Sequence, residues 1–214
     1  MNIIVVGNLH RKALINEHLA HYNFVQHNCA DYNLPEDFVD RHRRLPNLTG
    51  AYRAFRGHQD ALGLLKTTGL VFEDDAVPTT PFWPTIALKA FSFLDQFDWI
   101  SLHGREYDLT QFNLVADLGL GYGLYTSKEI PGINGCCMAY WMKTATASAY
   151  QQAIFDGFPC DWYLWRKFKT ALVEPSPFRH DRSQGSLIDL GHTLKPSSKL
   201  PCCSRQRLIS STRH

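Results

Sequence analysis

Three adjacent carboxylates, Glu73-Asp74-Asp75, follow directly on the apolar run Leu70-Val71-Phe72. Like charges this close repel one another unless a cation neutralises them. A hard divalent ion such as magnesium or manganese meets that need, because it prefers oxygen ligands and bridges carboxylates to phosphate oxygens. An ordinary acidic turn leaves the same trace, so the triplet alone does not choose between them. Another carboxylate, Asp161, sits in Pro159-Cys160-Asp161 ahead of the aromatic run Trp162-Tyr163-Leu164-Trp165. It could accept a proton from a reacting hydroxyl, or cap a helix from Trp162 to Phe168. Those aromatics could stack on a sugar, although at helical spacing they also suit a core. The guanidinium groups of Arg53 and Arg56 have the fork geometry that grips phosphates, or stand solvated.

The elements that must position these groups are partly legible. Ile3 to Val6 is a continuous β-branched run ending in Gly7-Asn8, which predicts a central strand and a loop open to a ligand. A helix over Lys12 to His21 and a strand near Tyr22 to Gln26 complete a β-α-β start. Asn8 and Arg11, after the first strand, are candidate nucleotide contacts by position. A further helix, with Asn47 or Thr49 as its N-cap, places Ala51, Ala54, Phe55, His58, Ala61, Leu62 and Leu65 on one face. His58 on that face reads by default as a buried histidine. Leu70 to Phe72 predicts a buried strand whose C-terminal end carries the acidic triplet, the edge where open α/β sheets bind ligands. A helix over Trp83 to Leu94, a strand at Trp99 to His103, a less regular Gly-rich section through Tyr125, a strand over Ile133 to Trp141 and a helix over Thr144 to Phe155 follow.

The chain has 214 residues, which predicts one folded unit with decorations. Its N-terminus lacks the basic and long apolar regions of a signal peptide, and no run of about eighteen apolar residues occurs to span a bilayer. The reading is a cytoplasmic chain, soluble or peripheral to a membrane. Six cysteines form no C-x-x-C, so zinc-ribbon and thioredoxin-like spacings are excluded and reduced thiols are expected. Beyond Asp189 there is no acidic residue, while Lys195, Lys199, Arg205, Arg207 and Arg213 follow. The domain is therefore expected to span 1–190, with a basic, flexible tail over 191–214 that could touch DNA or an anionic membrane.

Taken in order, Gly50-Ala51-Tyr52-Arg53-Ala54-Phe55-Arg56-Gly57-His58, Leu70-Val71-Phe72-Glu73-Asp74-Asp75-Ala76, Asn134-Gly135-Cys136-Cys137-Met138-Ala139-Tyr140 and Pro159-Cys160-Asp161 resemble family 25 glycosyltransferases, which include lipopolysaccharide galactosyltransferases. The likeness covers about residues 50 to 190. It departs at Gly57, where the family has Ser, and in a shorter spacing between helix and strand. The resemblance implies a GT-A-type α/β fold, a mixed, mostly parallel sheet flanked by helices. It implies a metal-dependent hexosyltransferase using a nucleotide sugar, a UDP-sugar in the first instance, and a glycan acceptor such as lipopolysaccharide, with inversion.

In that reading Mn2+ or Mg2+ is held by Asp75, Glu73 positions donor hydroxyls, Asp74 assists in either role, and His58 joins the donor site. Asp161 matches the position of the base, and His180 lies where a second metal ligand is supplied. Gln184 and Ser186 resemble closing positions of the family. Three rival readings share these residues: a viral-type glycosyltransferase acting on hydroxymethylated DNA bases, a carboxylate-metal phosphohydrolase or nuclease, and a non-catalytic nucleotide-sugar-binding protein. The second needs another carboxylate pair, which the sequence does not offer at suitable spacing.

Overall fold

A computed structural model describes residues 2–7, 17–29, 31–39, 48–102, 108–127 and 137–181. Strands β1 (Asn2–Gly7) and β2 (Phe24–Asn28) lie parallel, with residues 17–19 helical between them. The second strand thus sits two residues further along than Tyr22 to Gln26. Helix α1 (Leu48–Gly63) leads into β3 (Gly69–Glu73) and the short β4 (Ala76–Pro78). Helix α2 (Trp83–Phe91), β5 (Trp99–Ser101), a hairpin of β6 (Phe112–Gly119) and β7 (Tyr122–Ser127), and β8 (Ala139–Met142) come next. Helices α3 (Thr144–Gln151) and α4 (Cys160–Lys167), then β9 (Thr170–Glu174) and β10 (Phe178–His180), complete the described chain.

The fold is α/β, with an eight-stranded sheet in the order β2-β1-β3-β8-β5-β9-β7-β6. β8 and β7 run against the remaining strands, so most strands share one direction while the pairing is mixed. Successive residues of a strand face opposite sides, and β1 uses both. Ile3 and Val5 pack with Leu70, Phe72 and the α2 residues Trp83, Ile86 and Ala90. Ile4 and Val6 pack with Val71, Phe55 and Leu62 of α1, Tyr150 of α3 and Leu164 of α4. This two-sided burial is why the strand reads as unbroken Ile and Val.

Several boundaries differ from the sequence reading for identifiable reasons. The section expected to be irregular contains the β6–β7 hairpin, turned by Gly119, Leu120 and Gly121 at positive φ. Its alternation is blurred because β6 is an edge strand, interrupted between Leu114 and Ala116 and between Asp117 and Gly119. α2 stops at Phe91 and a single 3-10 turn takes Leu94–Gln96. α3 stops at Gln151 rather than Phe155. There the Gln59 amide from α1 lies 3.0, 3.3 and 2.7 Å from the carbonyls of Tyr150, Gln151 and Ala153 and braces the turn that follows the helix. Thr49 lies inside α1 rather than capping it. β5 ends at Ser101, and β8 begins at Ala139 rather than Ile133.

No helix among the described residues is long and apolar enough to cross a membrane. Among the described residues, Cys29, Cys137 and Cys160 are buried and form no disulfide. The basic tail and the boundary near Leu190 lie outside the described residues.

Candidate metal centre

The site begins where β3 ends. Glu73 stands opposite Val6 of β1, and its N–H donates to the Met138 carbonyl at 2.7 Å. The next N–H, from Asp74, donates to the Val6 carbonyl at 3.0 Å. The backbone is thereby held against both neighbouring strands up to the point where it turns. After the turn, β4 pairs antiparallel with β10 so that His180 faces Ala76, and the Asp181 N–H donates to the Asp75 carbonyl at 2.8 Å. This register carries a residue 105 positions away onto the acidic triplet, with His180 Nδ1 lying 3.3 Å from Asp75 Oδ2.

Glu73, Asp75 and His180 each offer a ligand atom, and these atoms lie within 4.8 Å of one another. Two carboxylates and an imidazole at that spacing fit a divalent ion with bonds of about 2.0–2.3 Å. Their side chains are 26%, 12% and 26% exposed, so a ligand can reach the cluster from solvent.

Asp74 behaves differently. It is 3% exposed, and its side chain packs on Gly7 at the end of β1 so closely that a Cβ at position 7 would overlap Asp74 Cβ and Cγ. That Asp74 Cβ cannot swing away, because the Asp74 backbone is tied to Val6. Gly7→Ala is accordingly expected to destabilise the protein by about 1–3 kcal/mol, the usual cost of overpacking, read as a lower urea midpoint at an unchanged slope.

His58 is 1% exposed and lies beneath Glu73 rather than at the surface of the cleft. Its Nε2 is 3.2 Å from Glu73 Oε1 and its Nδ1 is 2.8 Å from Tyr140 Oη. Burial opposes a charge on the ring, but the negative charge that Cys160 and Glu73 can carry outweighs it and holds the His58 pKa above its ordinary value. Burial also keeps Tyr140 a neutral phenol. Gly57, the departure from the family pattern, has a local cause: a Cβ there would run into the Cys29 side chain.

The other expected site residues have partners of their own. Arg53 Nε donates to the Tyr32 carbonyl at 2.9 Å, and Arg56 is engaged with Gln59 and Asp60. Both arginines therefore brace α1 and the loop after β2. Asp161 lies in the first turn of α4, behind Pro159 at the N-cap, so it does not cap that helix, and its Oδ1 accepts from the Trp162 N–H at 2.9 Å. It remains partly exposed. The preceding residue, Cys160, is buried and is among the groups that raise the His58 pKa, so the start of α4 lies near the imidazole beneath Glu73. Asn8, Arg11, Gln184 and Ser186 lie outside the described residues. Tyr140 and Cys160 were not singled out as site residues from sequence, although both stand inside the motifs that carry the resemblance.

No protein-family model matches this chain, and no curated protein matches it. Among solved structures it is similar to the crystal structure of A197 from STIV, at 12% identity and a TM-score of 0.40 over 84% of this chain and 85% of that one. A likeness this loose carries no argument about activity.

Proposed function

We propose that the chain is a metal-dependent glycosyltransferase of GT-A type that moves a hexose from a nucleotide sugar, a UDP-sugar in the first instance, to a hydroxyl of a glycan such as lipopolysaccharide. The observation that carries this reading is the Glu73, Asp75 and His180 cluster at the ligand-binding edge of an α/β sheet. The mixed oxygen and nitrogen donor set favours Mn2+ over Mg2+, which is the harder ion and gives up water reluctantly. An ion bound there would neutralise the negative charge that develops on the departing nucleoside diphosphate.

The chain's own residues supply the rest. Asp75, Glu73 and His180 would hold the ion, and Asp161 takes the proton of the acceptor hydroxyl as its oxygen bonds to the anomeric carbon. The sugar–phosphate bond breaks on the opposite side, which inverts the centre. On α4, Leu164 and Trp165 are core, and Tyr163 packs against Phe55 and Tyr150, as helical spacing suggested. Trp162 is partly exposed, stacked on Phe158 at 5.1 Å, and directly follows Asp161. It is the aromatic best placed to carry an acceptor sugar. Trp162→Ala is expected to raise the acceptor KM roughly 3- to 10-fold, in keeping with one aromatic contact, while donor hydrolysis without acceptor stays unchanged.

The decisive experiment incubates the protein with a panel of nucleotide sugars, with Mn2+ and with chelator, measuring donor binding by calorimetry and nucleotide release. Metal-dependent binding and turnover of one donor is the expected result. Absence of binding to every donor, or turnover indifferent to chelator, rejects the reading.

A further inference from the structure

A carboxylate at the rim of a cleft can rotate, and rotation spoils a metal site whose ligand atoms must hold their spacing to a few tenths of an ångström. Glu73 is fixed from below. A carboxylate oxygen only accepts, so the hydrogen between His58 Nε2 and Glu73 Oε1 belongs to the imidazole. The ring is held in turn through Nδ1 by Tyr140 Oη at 2.8 Å. Tyr140 faces Val71 across the β3–β8 pair, and Trp99 meets its ring edge-on at 5.6 Å and 86°. All three of Trp99, Tyr140 and His58 are essentially inaccessible to solvent. The sequence Trp99, Tyr140, His58, Glu73 is therefore a rigid strut from the core to the sheet edge, and its last member is the only one that reaches the cleft.

We infer that His58 is a positioning residue that fixes the Glu73 carboxylate in its metal-binding orientation, with Tyr140 setting the orientation of the imidazole. This rests on Glu73, Asp75 and His180 being metal ligands and not on the identity of the reaction. A histidine that merely filled the core of α1 would need partners on no particular element. Here its two nitrogens meet the end of β3 and the adjacent strand β8, the elements whose relative placement defines the site.

The test is Mn2+ binding to the full chain without donor, followed by the loss of the free-ion electron paramagnetic resonance signal. His58→Phe, which keeps a ring but donates nothing, is expected to weaken Mn2+ binding about 10- to 100-fold, the usual effect of losing a ligand's supporting partner. His58→Gln can place an amide N–H where Nε2 stood, and is expected to restore binding to within roughly threefold. Tyr140→Phe removes one hydroxyl, keeps the ring, and should weaken binding about threefold or more.

Wild-type affinity in His58→Phe overturns the inference, as does a His58→Gln protein that melts like wild type yet binds as poorly as His58→Phe. Should His58→Phe fail to fold, wild-type affinity in Tyr140→Phe overturns it instead. A wild-type chain that takes up no Mn2+ removes the metal reading and the positioning role with it. Mn2+ binding without any nucleotide-sugar turnover removes only the proposed reaction.

Discussion

Asp75→Ala should leave the protein folded and unable to bind a nucleotide sugar in a metal-dependent way. Asp75 is tied through its carbonyl to the Asp181 N–H and through Oδ2 to His180 Nδ1. Removing its side chain takes away one ligand and the partner that orients another. The expected loss of Mn2+ affinity is therefore at least about 100-fold, at or beyond the upper end seen when only a supporting group is removed. Calorimetric titration with Mn2+, alone and with donor present, reads this directly. Chelator should lower wild-type turnover to the mutant level and leave the mutant unaffected. A mutant that retains wild-type Mn2+ and donor affinity would show that the acidic triplet is an ordinary turn.

Asp161→Asn separates binding from transfer. Asn keeps the side-chain oxygen that accepts the Trp162 N–H, so α4 should begin as it does in the wild type. What disappears is the capacity to take a proton. Donor and Mn2+ affinities are expected to stay within about twofold, while transfer to acceptor falls by roughly 10²- to 10⁴-fold, the range for losing a positioned general base. The pair of variants gives opposite signatures. Asp75→Ala removes binding, and Asp161→Asn preserves binding and removes kcat. Transfer undiminished in Asp161→Asn would assign the base to another residue and return Asp161 to the role of a first-turn helix residue.

The local pieces of this fold were largely readable. An unbroken β-branched run can only be a strand buried on both faces, and β1 is one. The three-and-four spacing on α1 located its buried face, His58 included. These follow from periods of two and 3.6 residues that every strand and helix must obey. Reading failed where the deciding partner is remote. The turn that ends α3 is braced by Gln59, which lies on another helix. The β6–β7 hairpin hid because an edge strand with interrupted pairing has no clean alternation. Arg53, read as either a phosphate grip or a solvated side chain, gives its Nε–H to a carbonyl of the loop after β2, a partner that no local pattern names.

The same division holds for the site. Sequence by itself determined that three carboxylates stand at the end of a buried strand, that an imidazole sits on the apolar face of the preceding helix, and that Asp161 opens a later one. Tertiary structure alone decided which of them meet. Adjacency could not tell that Asp74 turns inward onto Gly7 while Glu73 and Asp75 remain at the cleft. Nor could it tell that His58 acts beneath Glu73, or that the β4–β10 register delivers His180 to Asp75. Chemical character travels with the residue type. Distance between residues far apart in the chain is set by strand register and layer packing, which no local pattern encodes.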